Sequence, residues 1–533
     1  MAWFRDETDL ADALPLTKKV LPPPSRVVLH GRIVTMDGSF TILHDGVIAI
    51  EDGLIVHCAE RGKPLPSEFT SLKPIELKGT IYPGLFELHN HPSYNMIPLW
   101  NVPRLYECRE QWRNACEYKR FVKDPAALLT HDPLSEISRA VVRFVECRAL
   151  LGGVTTTQGL SIKSMNSGVR AAYAGLVRNV ELPDDRSWPA AEDRIDNFTS
   201  FDQVKEIYGP LRGDMQKPFL LHLSEGVDDR SRSFFESLKA PDGSYLIGPN
   251  LVGIHGTALN KEQMKRMKDG SGIVWSPLSN LLLYGSTTDV ETALQDGVRV
   301  ALGSDWGPSG TKNLLGELKI AKIVSAHLGN LISDRDLVRM VTSTPAQMMS
   351  WSKFLGTVEV GKIADLLVLD GVSKDPYAQV IEARESDVVA VLINGRPRAG
   401  RATVINPLTR DVEMLRIAGQ DMVLDLIDPG HPLERMSLGT AIATLSYALE
   451  HLPDLAEQFH AQHQLMGGAT DGFVVELGFD EDYAMELMAG ARSIGRDDVE
   501  PMVLDPISEV DDYQFRTRLK SNINIPAWLR SSL

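Results

Sequence analysis

Short apolar runs that close on a polar residue recur through the middle of the chain. Ile81-Tyr82-Pro83-Gly84-Leu85-Phe86 leads to His89 and His91, Phe219-Leu220-Leu221 to His222, Leu251-Val252-Gly253-Ile254 to His255, and Val300-Ala301-Leu302 to Asp305. Runs of this length and composition predict buried strands. Between them, helical patterns cover residues 136–150, 261–268, 289–295 and 316–327. Alternation of this kind over residues 81–355 predicts parallel pairing, in a barrel or a doubly wound sheet. Parallel barrels carry their chemistry at the C-terminal strand ends, where all of these polar residues stand. Only closure brings the first and last strands together, so the barrel is the favoured reading.

The flanks have a different texture. Val27–Met36 and Gly46–Val56 are β-branched and bounded by Gly and Asp, and similar runs return at Gly361–Asp370 and Val389–Gly395. They predict a small β-sandwich assembled from residues 25–80 and 356–405. Residues 1–24, ending in Leu21-Pro22-Pro23-Pro24, read as an arm. From 406 to 533 the pattern is mainly helical: Leu438, Ile442, Leu445, Leu449 and Leu452 share one face before Pro453 ends the helix, and 482–492 is a further helix.

Charge sharpens the last boundary. The net charge is −16 over 533 residues, and residues 406–533 carry 22 acidic against nine basic residues, −13 of the total. The body is nearly neutral and the last quarter is an acidic appendage. Such a balance argues against nucleic acid as the partner. No run of eighteen apolar residues predicts a membrane span, and the start of the chain lacks the apolar core of a secretory leader. Cys58, Cys108, Cys116 and Cys147 show no Cys-x-x-Cys spacing and read as free thiols of a cytoplasmic protein.

His89 and His91 lie on one side of an extended segment, because alternate residues share a face. Two such imidazoles form half a metal site. With His222, His255, Glu225 and Asp305, the strand ends offer one cavity four imidazoles and two carboxylates.

In order along the chain, "PGLFELHNH", "HLSE", "IHG", "WSPLSN" and "LGSD", followed by "GTVEVGKIADLLVLD", resemble the amidohydrolase superfamily. The likeness is to the branch that holds cytosine, guanine and S-adenosylhomocysteine deaminases, triazine hydrolases and imidazolonepropionase. It covers residues 25–405 and implies a distorted (β/α)8 barrel with a composite β-sandwich; residues 406–533 have no counterpart in that pattern. It also implies that His89, His91, His222 and Asp305 ligate one divalent metal, Zn2+ before Fe2+ or Mn2+. Asp305 would accept a proton from metal-activated water, Glu225 would protonate a substrate nitrogen and the leaving group, and His255 would bond the attacking or developing oxygen. No lysine closes an apolar strand between Val154 and His222. Lys163 comes nearest, three residues past Gly159-Leu160, so a single metal is expected rather than a lysine-bridged pair.

Asn280 in "SPLSN", Trp306 after Asp305, and Trp112 and Arg113 in the aromatic loop are the candidate substrate contacts. Trp306 stands where deaminases more often carry small residues, which leaves the substrate ring open. The expected activity is hydrolysis of a non-peptide C–N bond in a small, cyclic substrate, by deamination or by ring opening. The alternative is a non-catalytic barrel that binds a ligand or partner. A homo-oligomer is left open.

Overall fold

In the computed structural model eight parallel strands occupy the middle of the chain: Leu85–Phe86, Val154–Thr157, Arg178–Asn179, Glu192–Arg194, Phe219–Leu223, Leu251–His255, Gly272–Trp275 and Val300–Leu302. Residues 25–533 are described, except 132–135, 161, 165–174, 184, 186, 214–216, 407, 410–411, 429–432, 434–435 and 467–472. The expected arm over residues 1–24 lies outside the described residues. Hydrogen bonding joins the first three strands into one arc and the other five into a second, and every pair within the arcs is parallel. The arcs meet where the Ala191 amide donates to Val180 O at 2.8 Å. At the opposite seam Asp305 N donates to His89 O at 3.0 Å and His91 N to Asp305 O at 2.6 Å. The result is a TIM-barrel-like α/β fold. A continuous closed ladder is not formed among the described residues, because both seams rest on one or two hydrogen bonds beyond the ends of short strands.

The helical patterns fold close to where their periodicity places them, at Ile137–Leu151, Lys261–Arg266, Val290–Gln295 and Leu314–His327. Local caps set their starts. Asn260 forms a capping box with Gln263, and Asn313 accepts from the amides of Leu315 and Gly316.

The flanking strands form one nine-stranded sheet that draws four strands from before the barrel and five from after it. Strand Ile75–Pro83 lies parallel to Arg26–Val34 and antiparallel to Leu366–Asp370, so the two flanks meet at the sheet's centre. Two details differ from the sequence reading. The run Gly46–Val56 is not one strand but a hairpin, folded at Asp52 and Gly53, whose φ angles are +47° and +85°. Asp-Gly is the pair that tolerates such a turn. The sheet also continues past residue 405 into the hairpin Glu413–Ile417 and Gln420–Leu424, inside the stretch assigned to the helical appendage.

The rest of the appendage is helical and does not stand apart. Helix Leu438–Glu450, capped by Ser437, buries Leu438, Ala441, Leu445, Ala448 and Leu449 and packs on helix Ile137–Leu151. Both belong to the apolar cluster that also fills the barrel layer. Pro453 occupies the second position of the next helix, Leu452–Met466, where its missing N–H costs nothing. Strand Phe473–Val475 then pairs with Ile162–Ser164, next to the barrel mouth. Among the described residues no helix is long and apolar enough to cross a membrane.

Candidate active site

The first barrel strand delivers three inward residues at alternate positions, Glu87, His89 and His91, all buried. The Nε2 atoms of His89, His91 and His222 lie 3.2–3.3 Å from one another. Asp305 Oδ1 approaches His89 Nε2 at 3.3 Å and His91 Nε2 at 3.7 Å. It is buried and has no hydrogen-bond partner. Ligands about 2.1 Å from a tetrahedral centre are ~3.4 Å apart, so the spacing fits one cation among these four groups. His89, His255 and Asp305 form a second, overlapping set of ligand atoms.

Tautomers and protonation agree with that use. His89 Nδ1 lies 2.7 Å from the Ser276 hydroxyl, which leaves Nε2 as the free donor of electrons. Burial, followed by the charge of His255, drives His91 down to about 3, and burial also pushes His89 and His222 well below the usual imidazole value. Metal ligation requires neutral imidazoles. Burial, with Glu225 second, raises the Asp305 carboxyl well above the ordinary range.

The backbone is bent at the strand ends. Ser224, His255 and Asp305 have φ of +51°, +64° and +66°, a region that non-glycine residues avoid. The bends turn His255 and Asp305 into the cavity. Glu87 ties the first strand to the last: its carboxylate accepts from Ser304 N at 2.9 Å and from Asn90 Nδ2 at 2.8 Å. Glu87 was not singled out from the sequence, although the period-two pattern with His89 and His91 marks it as inward.

Glu225 is buried beside this cluster. It accepts from the Tyr284 hydroxyl at 2.5 Å and pairs with Arg109 at 3.3 Å. His255 Nε2 has no hydrogen-bond partner and lies 3.8 Å from Glu225 Oε2. Arg109 and Tyr284 were missed. Tyr284 is separated from Glu225 by 59 positions, and no local spacing announces it.

The four candidate substrate contacts serve other partners here. Asn280 Oδ1 meets His255 Nδ1 at 2.9 Å, while its amide points to Thr288 at 3.3 Å. It therefore orients His255 so that Nε2 faces the cluster. Trp112 donates to the Tyr284 hydroxyl at 2.8 Å, and Trp306 to the Ser309 hydroxyl at 2.5 Å. Arg113 donates to Phe479 O, pairs with Asp480 and lines the polar cavity described below. The side chain of Lys163 lies outside the described residues.

Phe479, from the acidic appendage, is the largest departure from expectation. Its ring centre sits 4.2 Å from that of His91 and 5.7 Å from that of His222. Beyond it lies a polar cavity of about 470 Å³, lined by Arg109, Asp193, Arg194, Asn197, Glu476 and Phe479 among others.

Comparison with known proteins agrees with this geometry. The Amidohydrolase family matches residues 214–398. A 5-methylthioadenosine/S-adenosylhomocysteine deaminase from Syntrophobacter fumaroxidans is 24% identical over 407 residues, 69% of this chain and 92% of the relative. One from Caldanaerobacter subterraneus is 33% identical over 156 residues, 27% of this chain and 35% of the relative. Two solved structures share the fold. Guanine deaminase from Bradyrhizobium japonicum has a TM-score of 0.53 at 18% identity and covers 70% of this chain and 99% of its own. An adenosine deaminase from Xanthomonas campestris with bound zinc has a TM-score of 0.50 at 16% identity and covers 74% and 96%. Its ordered motifs, its parallel arcs and its converging His/Asp cluster agree with the family match and the deaminase relatives, and together they support membership of the amidohydrolase superfamily.

Proposed function

We propose that this protein uses one divalent metal to hydrolyse an exocyclic C–N bond on a small, nitrogen-containing ring, replacing an amino group by oxygen and releasing ammonia. Relatives named as deaminases along most of their length support a hydrolase of non-peptide C–N bonds. The observation that carries the finer reading is the convergence of three imidazole Nε2 atoms within 3.3 Å of one another, with an unpartnered Asp305 oxygen 3.3 and 3.7 Å from those of His89 and His91. Zinc suits that donor set, and Fe2+ or Mn2+ would also accept it. A divalent ion held by His89, His91, His222 and Asp305 would act as a Lewis acid and bring the pKa of water at the site toward neutrality.

The chain's own groups divide the proton work. Asp305 accepts the proton that water loses. Glu225, held by Arg109 and Tyr284, delivers a proton to the ring nitrogen and then to departing ammonia. His255, aimed by Asn280, faces the oxygen that develops charge on the attacked carbon. The polar cavity beside Arg109 takes the more hydrophilic part of the substrate, and Trp112 and Trp306 remain its candidate aromatic walls. Deamination is favoured over ring opening because relatives that align along the chain bear the name of deaminases. On this reading residues 25–80 and 356–405, with the hairpin Glu413–Leu424, make the composite sheet layer, 81–355 the distorted (β/α)8 barrel and the remainder of 406–533 a cover packed on it, in a cytoplasmic enzyme.

The test joins metal content to product. Purified full-length protein should hold close to one equivalent of transition metal by mass spectrometry. A heterocycle panel should yield ammonia, without the mass gain of one water that ring opening leaves. His89→Ala should lose metal and turnover together. Absence of stoichiometric metal after growth in metal-supplemented medium would return the chain to the reading of a binding protein without turnover.

A further inference from the structure

We propose that Phe479, supplied by the C-terminal appendage, is the specificity-determining wall of the site, standing between the polar cavity and the His/Asp cluster. The inference rests on the reading of that cluster as the reacting centre. Phe479 touches both the cavity and the cluster. It lines the 470 Å³ cavity, and its ring packs edge-on or tilted against His91, His222, Trp112 and Trp306 at centroid distances of 4.2–5.7 Å. His89, His91 and His222 are each no more than 3% exposed beneath it. Phe479 covers two of these imidazoles on the cavity side, with Gly478 beside it against His91 and Arg109 against Glu225.

The ring is seated by built features on both sides. Asp480, fully buried, accepts from the hydroxyls of Tyr94 at 2.9 Å and of Tyr118. Its other oxygen faces Lys123 at 3.5 Å and Arg113 at 3.6 Å, and Arg113 also donates to the Phe479 carbonyl. On the N-terminal side, Gly478 runs so close to the barrel that an added Cβ would stand 2.9 Å from Ile195 Cδ1 and 3.1 Å from His91 Nδ1. One end of the segment is pinned by the ladder to Ile162–Ser164, and the other by helix Glu481–Met488. A tyrosine–carboxylate seat with two cations near it holds one rotatable aromatic ring over a cluster that touches it on one face. Such an arrangement selects flat, narrow rings that slide between Phe479 and the imidazoles and rejects fused or substituted ones.

The experiment uses the full chain loaded with cobalt, whose visible spectrum reports nitrogen ligands reaching the ion. Imidazole serves as the narrow flat probe and benzimidazole as the wide one. The unaltered protein should prefer imidazole. Phe479→Ala should narrow the preference by at least ~10-fold, in line with a large change of cavity shape, and Phe479→Leu, which keeps most of the cover, should stay near the original ratio. Asp480→Asn should shift the ratio in the same direction as Phe479→Ala while leaving the ring in place, and covers the case in which the alanine variant does not fold. An unchanged ratio in both, or equal tightening of both probes, overturns the proposal. If the protein takes up no cobalt, the metal reading fails by itself. The wall is then judged by diethyl pyrocarbonate acylation, mapped by peptide mass spectrometry. His91 and His222 should react at least ~10-fold faster in Phe479→Ala, while His30 and His57 in the nine-stranded sheet keep their rates. No acceleration, or equal acceleration at all four, overturns it.

Discussion

At the scale of single residues, Glu225 is decided by its two neighbours. The Tyr284 hydroxyl and the Arg109 guanidinium occupy one oxygen each, so the carboxylate has a set direction before any substrate arrives. Glu225→Gln keeps the shape and both contacts' positions but cannot carry a proton. Metal content should stay at the level of the unaltered protein while kcat falls at least ~10²-fold, the ordinary scale of general acid–base help. Tyr284→Phe removes only one donor, so a smaller loss of ~10-fold is expected, borne mostly by kcat, since Tyr284 acts through Glu225. Steady-state kinetics beside metal analysis separates the two, and full activity in Glu225→Gln would remove it from the mechanism. His89, His91, His222 and Asp305 were legible in the sequence because each ends an apolar run, and strand periodicity alone tells which way it points. Arg109, Tyr284 and Phe479 were not, because each reaches the site from a loop, a helix end or the appendage, and their approach depends on tertiary packing that no local period encodes.

At the scale of elements, the site depends on how closely the first and last barrel strands approach. Gly303 lies against the first strand: a Cβ there would stand 2.4 Å from His89 Cβ and 2.7 Å from His89 O. No real contact is that short, so alanine must push the strands apart and carry His89 away from His222 and Asp305. Gly303→Ala should therefore weaken zinc affinity ~10- to 100-fold, the range seen when support around ligands is lost, although residue 303 is no ligand. Competition against a chromogenic chelator measures it, and unchanged affinity would show that the seam has slack. Four of the eight barrel strands and four of its helices were placed within a few residues from alternation; Val154–Thr157, Arg178–Asn179, Glu192–Arg194 and Gly272–Trp275 were not singled out, the middle two because they are only two or three residues long. The turn inside the run Gly46–Val56 was not placed, although the polar step Glu51-Asp52-Gly53 between its two apolar halves marks it. The hairpin after residue 405 was hidden for another reason: its strand Glu413–Ile417 is half exposed and mixes charges with apolar residues, so neither period stands out.

At the scale of the molecule, two expectations bear on how its parts depend on each other. A cation bound only by the folded barrel stabilises it by mass action, about 4 kcal/mol when free metal exceeds its dissociation constant ~1,000-fold. Dialysis against a chelator should thus lower the thermal midpoint, and added zinc should restore it; an unmoved midpoint would mean that the cluster holds no tightly bound ion. The second concerns the appendage, whose charge suggested a separate lobe. Its apolar residues Leu445, Leu449, Phe515 and Leu529 share one core with the barrel helices. Lys312 and Asp512 form a 2.8 Å ion pair in which both side chains are no more than 3% exposed. Asn524 donates to Leu282 O at 2.9 Å, at the helix that carries Asn280 and Tyr284. A chain stopped after Leu426 would keep the nine-stranded sheet whole. It would also strip the cover from helix Ile137–Leu151 and from Lys312, whose ammonium is held by Pro506 O and Asp512 of the deleted segment. Bare apolar faces of that size drive association. The shortened chain should aggregate and bind a hydrophobic dye on size-exclusion chromatography, where the full chain runs as a defined species. A shortened chain that stays soluble with the thermal midpoint of the whole would mean that the acidic quarter is a passenger, and that Phe479 reaches the barrel from a lobe the fold does not require.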